Sequence, residues 1–301
     1  MGNYEVCSRF VRYLKVSLCL IILLHATRSE AQKHTLWKVE SPTSTVYLLG
    51  SLHMLKPGHY PLAKAMEDAF TDSRHLVTET NLDALETPGI RDQIMAKAIY
   101  MDGSSLKTSL SPKAYETAEE ALEELQSVGL SLKTLNGFKP WFVALSIVGL
   151  KLQQLGFDPA NGVDRYFFNK AKAAHMALHT LESSEFQINL LSSMSKKNQE
   201  LMLLQTLRNL EITEELFVDI YEAWEVGDTV GLNQLLTESF EEFPTVYDKL
   251  ITARNQNWLP QIEIYLKQDE NYLVVVGAGH LVGDQGVVRM LQAKGYSVRQ
   301  Q

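Results

Sequence analysis

The chain of 301 residues has only two cysteines, Cys7 and Cys19, and both fall within its first twenty residues. Beyond that point there is no thiol, which excludes a disulfide framework and any cysteine nucleophile or redox centre. Positive charge is also short, with 28 Lys and Arg against 36 Asp and Glu and a net charge of −8. No basic stripe interrupts this balance. The phosphate contacts that supply nucleic-acid affinity are therefore missing, and DNA or RNA is excluded as a partner. Seventeen Gly and nine Pro are too few for a collagenous or low-complexity chain. What remains has the length and apolar content to bury a sizeable core.

The first 31 residues differ from the rest. Arg9, Arg12 and Lys15 precede an apolar run from Val16 to Leu24, and Ser29-Glu30-Ala31 follows as a small-residue exit. That order is the signature of a secretory signal peptide, and the run falls well short of the roughly 20 residues that span a bilayer. Residues 1–31 are read as a leader and 32–301 as a single exported domain, periplasmic or extracellular, with no membrane span after cleavage. An uncleaved N-terminal anchor is the alternative. Cys19 follows Leu18 rather than a small residue, which argues against a lipid-modified cysteine.

Periodicity predicts a helix-rich α/β chain, α+β-like in that its strands lie at the two ends. Leu36–Glu40 and Thr45–Leu49 flank Ser41-Pro42-Thr43-Ser44 as a hairpin. Pro61–Phe70 is predicted helical, and His75–Glu79 is a short strand. Ser111-Pro112 caps a helix running to about Val128. Pro140–Leu155 is apolar nearly all round and reads as a buried helix. Gly162–Ala174 is helical and Met176–Leu181 a strand. The helical period then holds from Ser195 to about Lys267, with breaks near Gly227 and Pro244. Tyr272–Val276 is a wholly apolar strand, and Ser297–Arg299 an edge strand. The expected architecture is a small central sheet with large helical insertions over about 83–160 and 195–267.

The chemistry lies at strand ends. One predicted strand runs into Gly50-Ser51-Leu52-His53 and another into Gly277-Ala278-Gly279-His280. Each couples a Gly that permits a sharp turn to a His three residues on. Two further strands end at Glu79 and Glu182. Ligands of α/β sheets gather at the carboxyl ends of strands, so these four residues are predicted to share a cleft. Two imidazoles and two carboxylates suit Mn²⁺, Co²⁺, Zn²⁺ or Fe²⁺. Other signatures are missing. Gly277-x-Gly279 is followed by Val282 where a dinucleotide fingerprint needs a third Gly, and there is neither a Gly-x-Ser-x-Gly elbow nor a His-Glu-x-x-His helix. Trp141, Trp224 and Trp258 read as core, and His34, His59, His75, His175 and His179 as surface or packing residues.

Several motifs in order resemble the TraB/GumN family over essentially the whole chain from Leu36. They are Tyr47-Leu48-Leu49-Gly50-Ser51-Leu52-His53, Tyr60-Pro61-Leu62 and Val77-Thr78-Glu79-Thr80-Asn81-Leu82. Gly162-Val163-Asp164 with Phe167, Leu181-Glu182, Arg254-Asn255 and Gly277-Ala278-Gly279-His280-Leu281-Val282-Gly283 follow. The family includes exported bacterial proteins and is related to the Tiki metal-dependent proteases, which use paired Gly-x-x-His motifs. More distant relatives are the erythromycin-esterase-like and haem-binding ChaN-like proteins. The resemblance implies His53, His280, Glu79 and Glu182 as metal ligands, with Glu79, Glu182 and Arg254 catalytic and Gly50, Gly277, Asp164 and Asn255 supporting. Asn81 stands where family members often carry Asp. Asp164 is read either as a partner fixing an imidazole tautomer or as part of a helix start. Arg254 is read as holding an acid, as stabilising an oxyanion or as a structural ion pair.

The leading expectation is a divalent-metal-dependent hydrolase of peptide-like or other small substrates. The alternatives are a non-catalytic binder of peptide, saccharide or haem in the same cleft, and an envelope-interaction protein. For the leader, N-terminal sequencing of protein from the extracytoplasmic fraction should begin near Gln32. A full-length cytosolic product would refute export.

Overall fold

Residues Leu36–Glu40 (β1) and Thr45–Ser51 (β2) form the expected hairpin, paired from Leu36 opposite Leu49 to Glu40 opposite Thr45. Its turn is closed by Ser41 Oγ, which accepts from the Thr43 and Ser44 amides. This is the turn chemistry expected of a short hydroxyl side chain that can mimic a backbone acceptor. The computed structural model describes residues 32–123, 131–210, 212–241 and 243–301. The predicted leader over 1–31 lies outside them, as does the end of the helix expected to reach Val128.

Four more strands complete a mixed sheet: His75–Thr78 (β3), Ala177–Thr180 (β4), Tyr272–Gly277 (β5) and Val298–Gln300 (β6), in the order β4-β3-β5-β2-β1-β6. β5 is buried along its whole length between β3 and β2, as its unbroken apolar run requires. β2, β5, β3 and β4 are mutually parallel, so their carboxyl ends emerge on one edge. β1 and β6 run antiparallel to their neighbours, and β6 is the edge strand at one side.

Helices fill the two long connections. Pro88–Ala98, Pro112–Glu123, Pro140–Gln154 and Val163–Ala173 lie between β3 and β4. Ser184–Ser192, Lys196–Arg208, Thr213–Glu225, Thr229–Ser239 and Ala253–Tyr265 lie between β4 and β5. Ser111 caps the second of these as expected, accepting from the Ala114 amide. The helix predicted from Pro61 instead begins at Lys64: Tyr60 is extended after a 3₁₀ turn over Pro57–His59, and its hydroxyl donates to the Asn161 carbonyl. The main core surrounds the sheet, with Leu48, Leu76, Phe167, Trp258 and Val274 at its centre. A second cluster, including Leu122, Val143, Ile147 and Leu203, joins three of the inserted helices. Among the described residues no helix is long and apolar enough to cross a membrane.

Leu48 is fully buried in β2. Leu48→Ala is expected to lower unfolding free energy by about 2–5 kcal/mol in denaturant titrations, with the transfer and cavity contributions adding. A loss within measurement error would mean that the sheet collapses into the cavity.

Candidate functional site

The parallel strands bring His53, Glu79, Glu182 and His280 to the same edge of the sheet. Glu79 follows β3 directly, and Glu182 lies two residues past β4, its amide donating to the Glu79 carbonyl at 2.8 Å. His53 follows β2, and His280 closes a single 3₁₀ turn, Ala278–His280, after β5. The Gly277 amide donates to Glu79 Oε1 at 2.8 Å. His53 Nε2 and His280 Nε2 each lie 3.9 Å from that same oxygen. A cleft of about 310 Å³ opens over His53, Glu79, Asp164 and Gln187.

Both turns approach their neighbours so closely that a side chain would have to displace them. A Cβ at Gly277 would sit 3.2 Å from His53 Nε2 and 3.3 Å from Glu79 Oε1, between the two histidines. A Cβ at Gly50 would meet the Ala278 Cα and Cβ at 3.1 Å, pushing the two turns apart. The Gly50 carbonyl in turn accepts the Trp224 indole N–H at 2.7 Å.

Each imidazole is oriented by a different partner. His53 Nδ1 is 2.9 Å from Asp164 Oδ2, so Asp164, in the first turn of its helix, holds the orientation of the ring. Its other oxygen, Oδ1, is buried without a hydrogen-bond partner. His280 Nδ1 is 2.7 Å from Asn255 Oδ1, while Asn255 Nδ2 donates to the carbonyls of His280 and Gln285. The amide oxygen can only accept, so His280 Nδ1 carries the hydrogen and Nε2 presents a lone pair. This is the tautomer in which metal-binding histidines are held by their surroundings.

Arg254 joins three of the four residues. Its Nε donates to both Glu182 oxygens at 3.0 and 3.1 Å, and Nη2 to Glu79 Oε2 at 2.5 Å and Glu182 Oε2 at 3.0 Å. Nη1 donates to the Leu250 carbonyl at 3.1 Å and to His280 Nε2 at 3.0 Å. All five guanidinium N–H groups are thereby engaged, leaving none for an oxyanion. The geometry is that of a residue holding acids. Trp258, one helical turn on, donates its indole N–H to Glu182 Oε1 at 2.8 Å and lies beneath the guanidinium. Gln187 reaches Glu79 and Glu182 at 3.4 and 3.3 Å. Sequence reasoning missed both residues. The four-residue spacing of Arg254 and Trp258 was the available signal for one, and nothing local marks the other. Asn81 caps the short helix Leu82–Leu85, accepting from the Asp83 and Ala84 amides.

The protonation states diverge accordingly. Burial pushes the Glu79 pKa up, but the two imidazoles, Arg254 and the Gly277 amide outweigh it and hold it at about 2. Burial takes His280 down to about 3 against the pull of Glu79, with Arg254 reinforcing the shift. For His53 desolvation also works downward, yet the Asp164 and Glu79 carboxylates prevail and raise it to about 9. Among the described residues no three His, Cys, Asp or Glu side chains stand ready to hold a metal ion. Three of the four candidate ligands are turned onto Arg254. In residue type, and at His280 in tautomer, the donor set nevertheless suits a divalent cation, which would take the place of the His53 Nε2 proton, and the bare Gly277 Cα leaves space facing His53 Nε2 and Glu79 Oε1.

His53 is therefore expected to titrate near pH 9 by NMR, and Asp164→Asn should return its midpoint toward the ordinary 6.5. Because the folded state raises this pKa, the pair's contribution to stability is complete below about 6.5 and is lost as pH rises through 9. An unshifted wild-type midpoint would remove Asp164 as its partner.

The TraB/PrgY/gumN family model matches residues 35–300. The chain is 24% identical over 246 residues to the uncharacterized protein YbaP of Escherichia coli K12, covering 82% of this chain and 87% of that one. A shorter stretch of 76 residues is 36% identical to a metalloprotease TIKI homolog of Amphimedon queenslandica, covering 25% of this chain and 13% of that protein. An uncharacterized protein of Treponema pallidum is 20% identical over 172 residues, covering 57% of this chain and 50% of its own. No solved structure matches. With a family model spanning nearly all of the described residues, the chain belongs to the TraB/PrgY/gumN family.

Proposed function

We propose that this protein is an exported, divalent-metal-dependent hydrolase of amide or ester bonds in peptide-like substrates. One observation carries the reading: both imidazoles, each with Nδ1 tied to an acceptor, turn Nε2 toward a single Glu79 oxygen. The similarity to a metalloprotease TIKI homolog supports the same reaction class.

In this reading His53, His280, Glu79 and Glu182 would hold Mn²⁺, Co²⁺ or Zn²⁺. A metal in such a setting polarises a carbonyl and lowers the pKa of water from 15.7 toward about 7, which supplies a nucleophile without serine or cysteine. The chain's own residues then have separate tasks. Glu79 is ionised and borders the cleft, so of the two carboxylates it is the one that meets an incoming ligand, while its low pKa makes it a ligand or anchor rather than a strong base. Both Glu182 oxygens are occupied by Arg254 and Trp258, which makes Glu182 an anchoring acid. Asp164 and Asn255 orient the two imidazoles. Arg254 holds both acids in the structure, with every guanidinium N–H engaged and none directed at the cleft for an oxyanion.

The test is a panel of peptides and esters assayed with each of the three metals. Wild type should turn over at least one substrate, and His53→Ala and Gly277→Val should lower turnover by about 10- to 100-fold or more, the scale on which changes around a metal site act. Both variants should remain folded by circular dichroism. Metal binding without turnover on any substrate would favour a ligand-binding protein instead.

A further inference from the structure

We propose that the Arg254 guanidinium is the resident cation of this site, and that it limits divalent-metal affinity by occupying the lone pairs of Glu79, Glu182 and His280 that a metal needs. The inference rests on the metal reading above and adds a competitor to it.

The argument turns on a single lone pair. His280 Nδ1 donates to Asn255, so Nε2 has one lone pair to give, and that lone pair accepts from Arg254 Nη1 at 3.0 Å. An imidazole nitrogen cannot serve an N–H and a metal together. At Glu182 the competition is similar, because both oxygens already accept from Arg254 and one also from Trp258. Of the four candidate ligands only His53 and Glu79 Oε1 are left without an Arg254 contact, and His53 must give up its Nε2 proton before it can act as a donor. Two donors fall short of the three protein ligands usual at catalytic zinc sites.

Arg254 is also firmly seated. It is 8% exposed, it bonds the Leu250 carbonyl one turn back, and its guanidinium carbon lies 4.8 Å from the centre of the Trp258 ring. The guanidinium's fork geometry satisfies two carboxylates and an imidazole at once, which a point charge on a flexible stem cannot reproduce. Its charge offsets buried carboxylates that would otherwise be costly to leave unpaired. A divalent metal would take over that same electrostatic role. The two cations are therefore alternatives at one position.

The experiment is calorimetric titration of Mn²⁺ and Zn²⁺ into purified wild type and Arg254→Gln, with circular dichroism to verify folding and melting curves with and without metal. The variant is expected to bind at least about tenfold more tightly than wild type, the lower scale on which ligand-orienting partners act. It should also gain more thermal stability from the metal. Equal affinities would overturn the proposal while leaving the metal reading intact. Binding by wild type but not by the folded variant would show that Arg254 holds the ligands in place, and would likewise overturn it. No binding by either protein would defeat both readings, since all four donors would then be free. Arg254→Lys, which keeps the charge but loses the fork, carries the same test if the Gln variant does not fold. Its metal affinity should exceed that of wild type, and an unchanged or weaker affinity would overturn the proposal.

Discussion

The bonds from Arg254 to Glu79 and Glu182 are the interaction on which the rest of this site depends. Two parallel strands end in carboxylates that are nearly out of solvent, with side-chain exposures of 12% and 5%. Such charges are tolerated only when paired and hydrogen-bonded. The cation comes from the helix Ala253–Tyr265, which enters through a π-turn over Asp248–Thr252. That turn contributes the Leu250 carbonyl to the same guanidinium. Helix, β3 and β4 are thereby tied at one point, and the Gly277 amide ties β5 to it through Glu79. The sheet edge and the helix above it are held by charge where the surrounding contacts are apolar.

This anchoring explains why glycine recurs where β2 and β5 end. Turns that deliver an imidazole to a charged centre must bring backbone close to it, and a Cβ at Gly277 would stand in the space between His53 and Glu79. The Gly50 turn and the Ala278 turn touch one another, so each fixes where the other can go. Trp224 locks the Gly50 carbonyl from the inserted helices. The insertion between β4 and β5 thus does two jobs, supplying Arg254 to the site and bracing the first turn.

Much of this was legible in the sequence because the signals are local. The hairpin, the buried β5 run and the paired Gly-x-x-His turns follow from alternation, apolar continuity and glycine placement. Parallel topology then brings the four strand ends together. What the sequence could not disclose depends on approach between distant segments. Trp258 is apolar, buried and at helical spacing, so it reads as core, and its indole N–H gains meaning only when Glu182 arrives from 76 residues away. Gln187 has no local mark at all. Arg254 was visible as a polar step in a helix, but which of its three readings applied required knowing that every donor is filled. Asn81 shows the converse: its side chain is used up by a helix cap, a local role that an Asp would serve equally.

The two Gly-x-x-His elements look alike in sequence and differ in chemistry. His280 is 5% exposed in its side chain, is oriented by an amide, and is held neutral by burial. His53 is 58% exposed, is oriented by a carboxylate, and is held protonated near neutral pH. The difference traces to burial and the Arg254 charge at His280, against the Asp164 carboxylate at His53. An amide leaves the imidazole neutral, whereas a carboxylate stabilises its cation. Titratable groups whose surroundings push them apart mark a division of labour. His280 belongs to the closed, Arg254-filled side of the site. His53, with Glu79 Oε1 and the gap left by Gly277, forms the open side that an incoming ligand meets first. A near-symmetric motif has become an asymmetric site through burial, the Arg254 charge and the partner that holds each ring.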